Sequence, residues 1–190
     1  LIHNDDTFMR VQSLRREIDT EKDGGRTGIF TTNILCQSGS NQIALFFTGR
    51  KHAGENLDEL LKRRAAELDK PLQMCDALSR NQPQASLTDL CHCLLHGRRN
   101  FVDQIENFPE ACRKVIESLR EVYRLEAQIK QDRLSDADRL ACHQAQSGPV
   151  LEDLHQWMQV QLDQKKVEPN SGLGRALGYM LKHWEALTRF

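Results

Sequence analysis

The hydrophobic period of this chain changes for the last time between Cys93 and Gly97, and that change limits the folds open to it. Before it, apolar residues come mainly in short β-branched and aromatic runs, with one helical stretch after Gly54. After it, they recur at helical spacing. Thr27–Cys36 (TGIFTTNILC) reads as a strand. The loop Gln37–Asn41 joins it to Ile43–Phe47, a continuous apolar run suited to a strand buried on both faces. With the mixed run Leu1–Val11, these predict an antiparallel meander of three strands. The charged stretch Arg15–Gly25 between the first two ends in the turn Asp23-Gly24-Gly25. Leu57, Leu60, Leu61, Ala65 and Leu68 then mark a helix stopped by Lys70-Pro71, and Leu72–Cys75 forms a short strand ending at Asp76. Strand, helix, strand in that order implies a crossover to a parallel neighbour in the same sheet. Leu87–Leu95 fits a fifth strand feeding a helix from about Gly97 to Phe108.

From Pro109 onward only helices are expected. Proline suits a first helical position, and Cys112, Val115, Leu119 and Val122 begin an apolar stripe behind it. Ser135 with Asp138 three residues on resembles a capping box. Gly148-Pro149 is expected to break that helix. Leu151, Leu154 and Met158 mark the next, and Pro169-Asn170-Ser171 opens a last one carrying Leu173, Leu177 and Leu181. These stripes read as packing between antiparallel helices.

Composition narrows the partners. The 190 residues carry 26 basic and 27 acidic side chains, a formal net charge of −1, so no global positive field recruits nucleic acid. Any such contact rests on local clusters: Lys62-Arg63-Arg64, Arg98-Arg99 or Lys165-Lys166. Six cysteines without a paired framework read as reduced cytosolic thiols. No apolar stretch approaches the roughly 20 residues needed to span a bilayer. Leu1 at the start and an uncapped helical pattern at Phe190 give both ends the look of a longer protein cut short.

Two acidic strings carry the chemistry. His3-Asn4-Asp5-Asp6-Thr7 and Leu72-Gln73-Met74-Cys75-Asp76 each put an aspartate at or beside the end of a strand-like run. Aspartates on neighbouring strands can meet at the carboxyl edge of an α/β sheet, where such folds place their ligands. Phosphodiester cleavage is served by two metal ions about 3.5–4 Å apart, held by carboxylates. Asp5 and Asp6 point to opposite faces of a strand, so only one of them can serve, with Asp6 the alternative first carboxylate. Cys91-His92-Cys93 with His96 is a poor zinc set, because six residues do not easily wrap a tetrahedron.

In order along the chain, four strings resemble the core of DDE transposases of the insertion-sequence-66 family. They are His3–Thr7; Leu72-Gln73 with Asp76; Cys93-Leu94-Leu95-His96-Gly97-Arg98-Arg99-Asn100-Phe101; and the late run from Asn170 to Tyr179 continuing to Trp184–Leu187. Two departures stand out. Ala77-Leu78 replaces the Gly-Tyr that usually follows the second aspartate, and the customary aromatic after Cys93 is missing.

The resemblance implies a ribonuclease-H-like α/β fold, a mixed sheet of three antiparallel strands plus parallel strands, with a C-terminal all-helical insertion. It divides the chain into part of the catalytic core (1–108), the insertion (109–166) and a helix returning to the core (167–190). It makes Asp5 and Asp76 catalytic and metal-binding, for two Mg²⁺ or Mn²⁺ ions in the complete enzyme. It makes Arg98 and Arg99 candidates for DNA phosphate contacts, and Cys93 and His96 shapers of the fold near the site. The implied activity is cutting and joining insertion-sequence ends, with transposon-end and target DNA as partners, a homo-oligomeric parent, no membrane, and a bacterial cytoplasmic, nucleoid-associated location. The family's catalytic Glu lies beyond the late helix, so the fragment alone is expected to be inactive. A non-catalytic helical interaction module and an inactive transposase remnant are the alternatives.

Overall fold

The computed structural model of the protein describes residues 1–13, 26, 28–65, 67–83 and 87–189. Among these, two compact units divide at residues 92 and 93. The fold is α/β. The first unit holds strands β1 (Ile2–Phe8), β2 (Phe30–Ser38), β3 (Asn41–Gly49), β4 (Leu72–Cys75) and β5 (Asp89–His92), with helix α1 (Ala53–Leu61) between β3 and β4. The sheet order is β3-β2-β1-β4-β5. β1, β2 and β3 pair antiparallel, whereas β4 pairs parallel to β1 and β5 parallel to β4. This is the mixed sheet expected from the strand, helix, strand pattern. The expected turn at Asp23-Gly24-Gly25 lies outside the described residues.

The β2–β3 loop is Gly39-Ser40, and Gly39 takes φ 57°, the left-handed region that a two-residue hairpin loop needs. On one face of the sheet Ile2 and Ile34 pack against Leu57 of α1, with Leu45 and Phe47 partly buried beside them. β3 departs from expectation. Its apolar run reads as a doubly buried strand, yet Ile43 is 59% and Phe46 68% exposed. The reason is its place at the sheet edge, which no local pattern encodes: an apolar run records hydrophobicity, not the number of neighbours.

α1 also stops short of the expected Leu68. Its last turn tightens into i→i+3 bonds from Arg63 and Arg64, and Leu68 is 53% exposed. A longer helix would bury nothing there, and burial of an amphipathic face supplies most helical stability.

Among its described residues the second unit has helices joined by turns and no strand: α2 (Leu94–Val102), α3 (Pro109–Asp132), α4 (Asp136–Cys142), α5 (Gly148–Asp163), α6 (Gly172–Lys182) and the short α7 (Trp184–Leu187). The sheet thus ends before Cys93, as the change of period requires. α2 starts and ends earlier than the expected 97–108 helix. Pro109 begins α3, Ser135 Oγ accepts from the Asp138 backbone, and Ser171 Oγ accepts from Gly174. Phe101, Val115, Leu119, Leu154, Met158 and Leu177 meet in one apolar core.

Gly148-Pro149 does not break the helix. α4 runs through one π turn (His143–Ser147) into α5, and the Gly148 N–H donates to His143 O. The wider turn absorbs the proline, whose missing N–H would otherwise interrupt the ladder. Glu126 on α3 fastens this segment through Arg139 at 2.9 Å and His143 Nε2 at 3.0 Å. Among the described residues, no helix is long and apolar enough to cross a membrane.

Candidate functional site

β1 and β4 lie side by side and parallel, with Ile2 opposite Gln73 and His3 opposite Met74. Continuing that register sets Asp5 beside Asp76. Asp76 lies just past the carboxyl end of β4, whereas Asp5, expected at a strand end, sits in the middle of β1, which runs on to Phe8 in its pairing with β2. Asp76 is the first residue past β4, and its Oδ1 accepts from the Leu78 backbone at 3.1 Å, an Asx turn. Because that turn uses only the backbone of residue 78, and Ala77 keeps a negative φ, Ala77-Leu78 can build it without a glycine. The chain then enters a single 3₁₀ turn, Ser79–Asn81.

Asn81 closes the site. Its Nδ2 donates to Asp76 Oδ1 at 2.6 Å and to Asp5 Oδ1 at 3.3 Å, so one amide bridges the two carboxylates. Behind it lies a polar network. Asn4 Nδ2 and Gln73 Nε2 donate to the Asn81 carbonyl at 2.7 and 3.0 Å, Gln73 Nε2 also reaches Asn4 Oδ1 at 2.8 Å, and Thr88 Oγ1 donates to Gln73 Oε1 at 2.7 Å. Asn4 is 4% exposed, Gln73 and Asn81 0%. Buried groups so bonded are held in one geometry. Gly54 of α1 lets the 3₁₀ turn approach: a Cβ there would collide with the backbone carbonyl of Gln82 and crowd that of Arg80.

Asp6 faces the other way. Its Oδ1 accepts from Thr32 Oγ1 at 2.8 Å and its Oδ2 pairs with His52 Nδ1 at 2.9 Å, and its side chain is 1% exposed. His52 stands at the start of α1, where its backbone N–H donates to Glu55 Oε2. Arg26 also holds that Glu55 carboxylate. Although burial opposes it, these partners keep Glu55 below the usual glutamate range. Asp6 thus ties β1 to α1, while Asp5 faces Asp76.

The other expected residues lie in the second unit. Cys93 caps α2 and is partly buried, His96 and Arg99 are exposed, and Arg98 is half-buried. Burial first, then the Cys93 sulfur, pushes the Tyr123 hydroxyl up to about 12, with Arg98 opposing the rise.

Asn4, Gln73 and Asn81 are the residues that sequence reasoning missed. For Asn4 and Gln73 the available signal was a lone amide inside each short strand, where a polar side chain has to find a buried partner. Asn81 gave none, because the contact depends on where a turn lands.

The donor chemistry suits a hard divalent ion, since carboxylate and amide oxygens match Mg²⁺ and Mn²⁺. Among the described residues no group of three or more His, Cys, Asp or Glu side chains comes together, so the pair stands as two carboxylates around an amide. Compared with known proteins, the family model described as Transposase IS66 family matches residues 1–190. The chain belongs to the IS66 transposase family. It is also 35% identical, over 117 residues, to the uncharacterized protein y4jD of Sinorhizobium fredii. That match covers 60% of this chain and 22% of that protein. No solved structure matches.

Proposed function

We propose that this chain is the metal-holding part of a DDE transposase that cuts and joins insertion-sequence ends. The observation that carries this reading is the shared Asn81 amide, which holds Asp5 of β1 and Asp76, just past the end of β4, side by side on two parallel strands. Family membership supplies the reaction class, and the strand order β3-β2-β1-β4-β5 supports a ribonuclease-H-like core with residues 109–166 as a helical insertion.

Asp5 and Asp76 are the residues that would hold Mg²⁺ or Mn²⁺. When bound, such ions activate the attacking oxygen and relieve charge on the leaving one. The network of Asn4, Gln73 and Asn81 fixes the carboxylates, so little reorganisation is left to the reaction itself. Arg98 and Arg99 on α2 offer guanidinium donors for DNA phosphates, and Cys93 and His96 shape the start of that helix. Transposon-end and target DNA are the substrates, and a homo-oligomeric, nucleoid-associated parent fits such work. Asp6 remains fastened to Thr32 and His52 in this reading and takes no metal.

Two carboxylates under-ligate a metal pair, because Mg²⁺ asks for near-octahedral oxygen coordination. The match spans 22% of the length of y4jD, and in this reading a Glu from a longer parent chain is the third carboxylate. The test is a divalent-metal nicking assay on duplex DNA carrying the element's end. The 190-residue chain should be inactive, a chain extended to include the downstream Glu active, and its Asp5→Ala and Asp76→Ala variants inactive again. Metal-dependent cleavage by the 190-residue chain that survives both substitutions would place the chemistry on other residues.

A further inference from the structure

The backbone of Asn81 has no freedom to move away from the carboxylates. Its carbonyl is held by Asn4 and Gln73, and the turn that carries it is seated against Gly54. The side chain is 0% exposed, yet its Oδ1 is buried without a hydrogen-bond partner. The soft coordinate left is rotation of the terminal amide, a broad two-fold torsion that exchanges oxygen for nitrogen.

Ionised carboxylates only accept hydrogen bonds. Without a cation the NH₂ group therefore has to face Asp5 and Asp76, and it offsets their mutual repulsion. A cation between them reverses the requirement, since it takes oxygen and repels N–H. Ligand oxygens around an octahedral Mg²⁺ at about 2.0–2.1 Å stand about 3.0 Å apart. The amide atom facing the pair lies 2.6 Å from one carboxylate and 3.3 Å from the other, on either side of that spacing.

From this geometry we infer that Asn81 is a third oxygen ligand of the divalent ion, its amide turning over as the ion enters. The inference rests on the reading of Asp5 and Asp76 as a metal pair. The unpartnered Oδ1 is the oxygen held in reserve, and the same side chain stabilises the pair with and without metal. Alanine does neither. Aspartate ligates, but adds a third negative charge to the empty site.

The test is Mn²⁺ titration of the 190-residue chain by calorimetry, alongside N81A, N81D and D76A, with folding followed by circular dichroism. N81A should weaken Mn²⁺ binding by about 10–100-fold, the range set by loss of groups that support a metal site. N81D should bind at least as tightly as the parent, melt at lower temperature without metal and recover with Mn²⁺. N81A binding as tightly as the parent or more so overturns the inference, because the amide then merely sits in the ion's place. Should N81A fail to fold, N81D decides, and weaker binding than the parent's overturns it. A D76A chain that keeps its Mn²⁺ affinity, or a parent that binds no Mn²⁺ at millimolar concentration, overturns the metal-pair reading as well. Loss of binding in D76A with N81A unchanged overturns the Asn81 inference alone.

Discussion

The apolar core of the helical unit is made of side chains with no hydrogen-bonding obligation, whereas the surroundings of Asp5 and Asp76 are built from side chains defined by it. Leu119, Leu154, Leu177 and Met180 are all fully buried in one apolar cluster. Thr32, Gln73 and Asn81 are buried just as deeply in the first unit, and each bonds to another buried polar group. Apolar packing is non-directional, so it tolerates exchange of one hydrocarbon for another of similar volume. A buried polar network is directional and fails when one member goes. The contrast explains why Asp5 and Asp76 sit where they do: precise placement of a carboxylate needs directional support.

Substitutions can break that contrast in order of size. Leu154→Ala should cost the helical unit about 2–5 kcal/mol, the range for emptying a core leucine site, read by urea denaturation. It should leave Mn²⁺ binding intact in any fraction still folded. Gln73→Leu keeps volume but removes the donor to the Asn81 carbonyl and takes away the bonds that Asn4 Oδ1 and Thr88 Oγ1 make to Gln73. A loss of about 1–3 kcal/mol is expected, together with weakened Mn²⁺ binding, and a change in only one of the two would mean that the buried network does not position the carboxylates.

A smaller, graded effect concerns Glu126. Burial raises its pKa, but bonds from His143 and Lys130 and the charge of Arg139 outweigh this and hold it below the usual glutamate range. A carboxyl lowered by folding contributes stability that is full above its unfolded pKa and is lost as pH falls through the folded one. The helical unit should therefore weaken on acidification below the ordinary glutamate range, and Glu126→Gln should flatten that limb of the stability curve. The smallest effect is expected at Tyr123, whose hydroxyl is buried without a hydrogen-bond partner. Tyr123→Phe should be neutral or stabilising by up to about 1 kcal/mol in thermal melts. A clear loss would mean that the phenol has a role that its surroundings do not reveal.

Much of this architecture was legible in the chain itself. The change of period located the end of the sheet. The sequence from Ile43 to Asp76 predicts a crossover to a parallel strand in the same sheet, and Ser135, Pro109 and Ser171 mark helix starts through capping chemistry that acts within three residues. Period and capping are local, so they survive being read without neighbours. The errors share the opposite property. Ile43 and Phe46 were expected to be buried, but an edge strand has a neighbour on one side only. The helix breaker Gly148-Pro149 was absorbed by a π turn that Glu126, 17 residues away from His143, helps to hold.

For the site, the sequence by itself determined that Asp76 would end a strand reached by a crossover within the sheet, and that Asp5 and Asp6 would point to opposite faces of theirs, because crossover and strand alternation follow from short-range geometry. Only the tertiary structure decided the rest. It turned Asp6 toward Thr32 and His52 and Asp5 toward Asp76, and it brought Asn81 between the two carboxylates. Those outcomes depend on register, on the landing point of a turn and on a glycine in a different element. Hydrogen bonds between residues 76 positions apart leave no periodic trace along the chain.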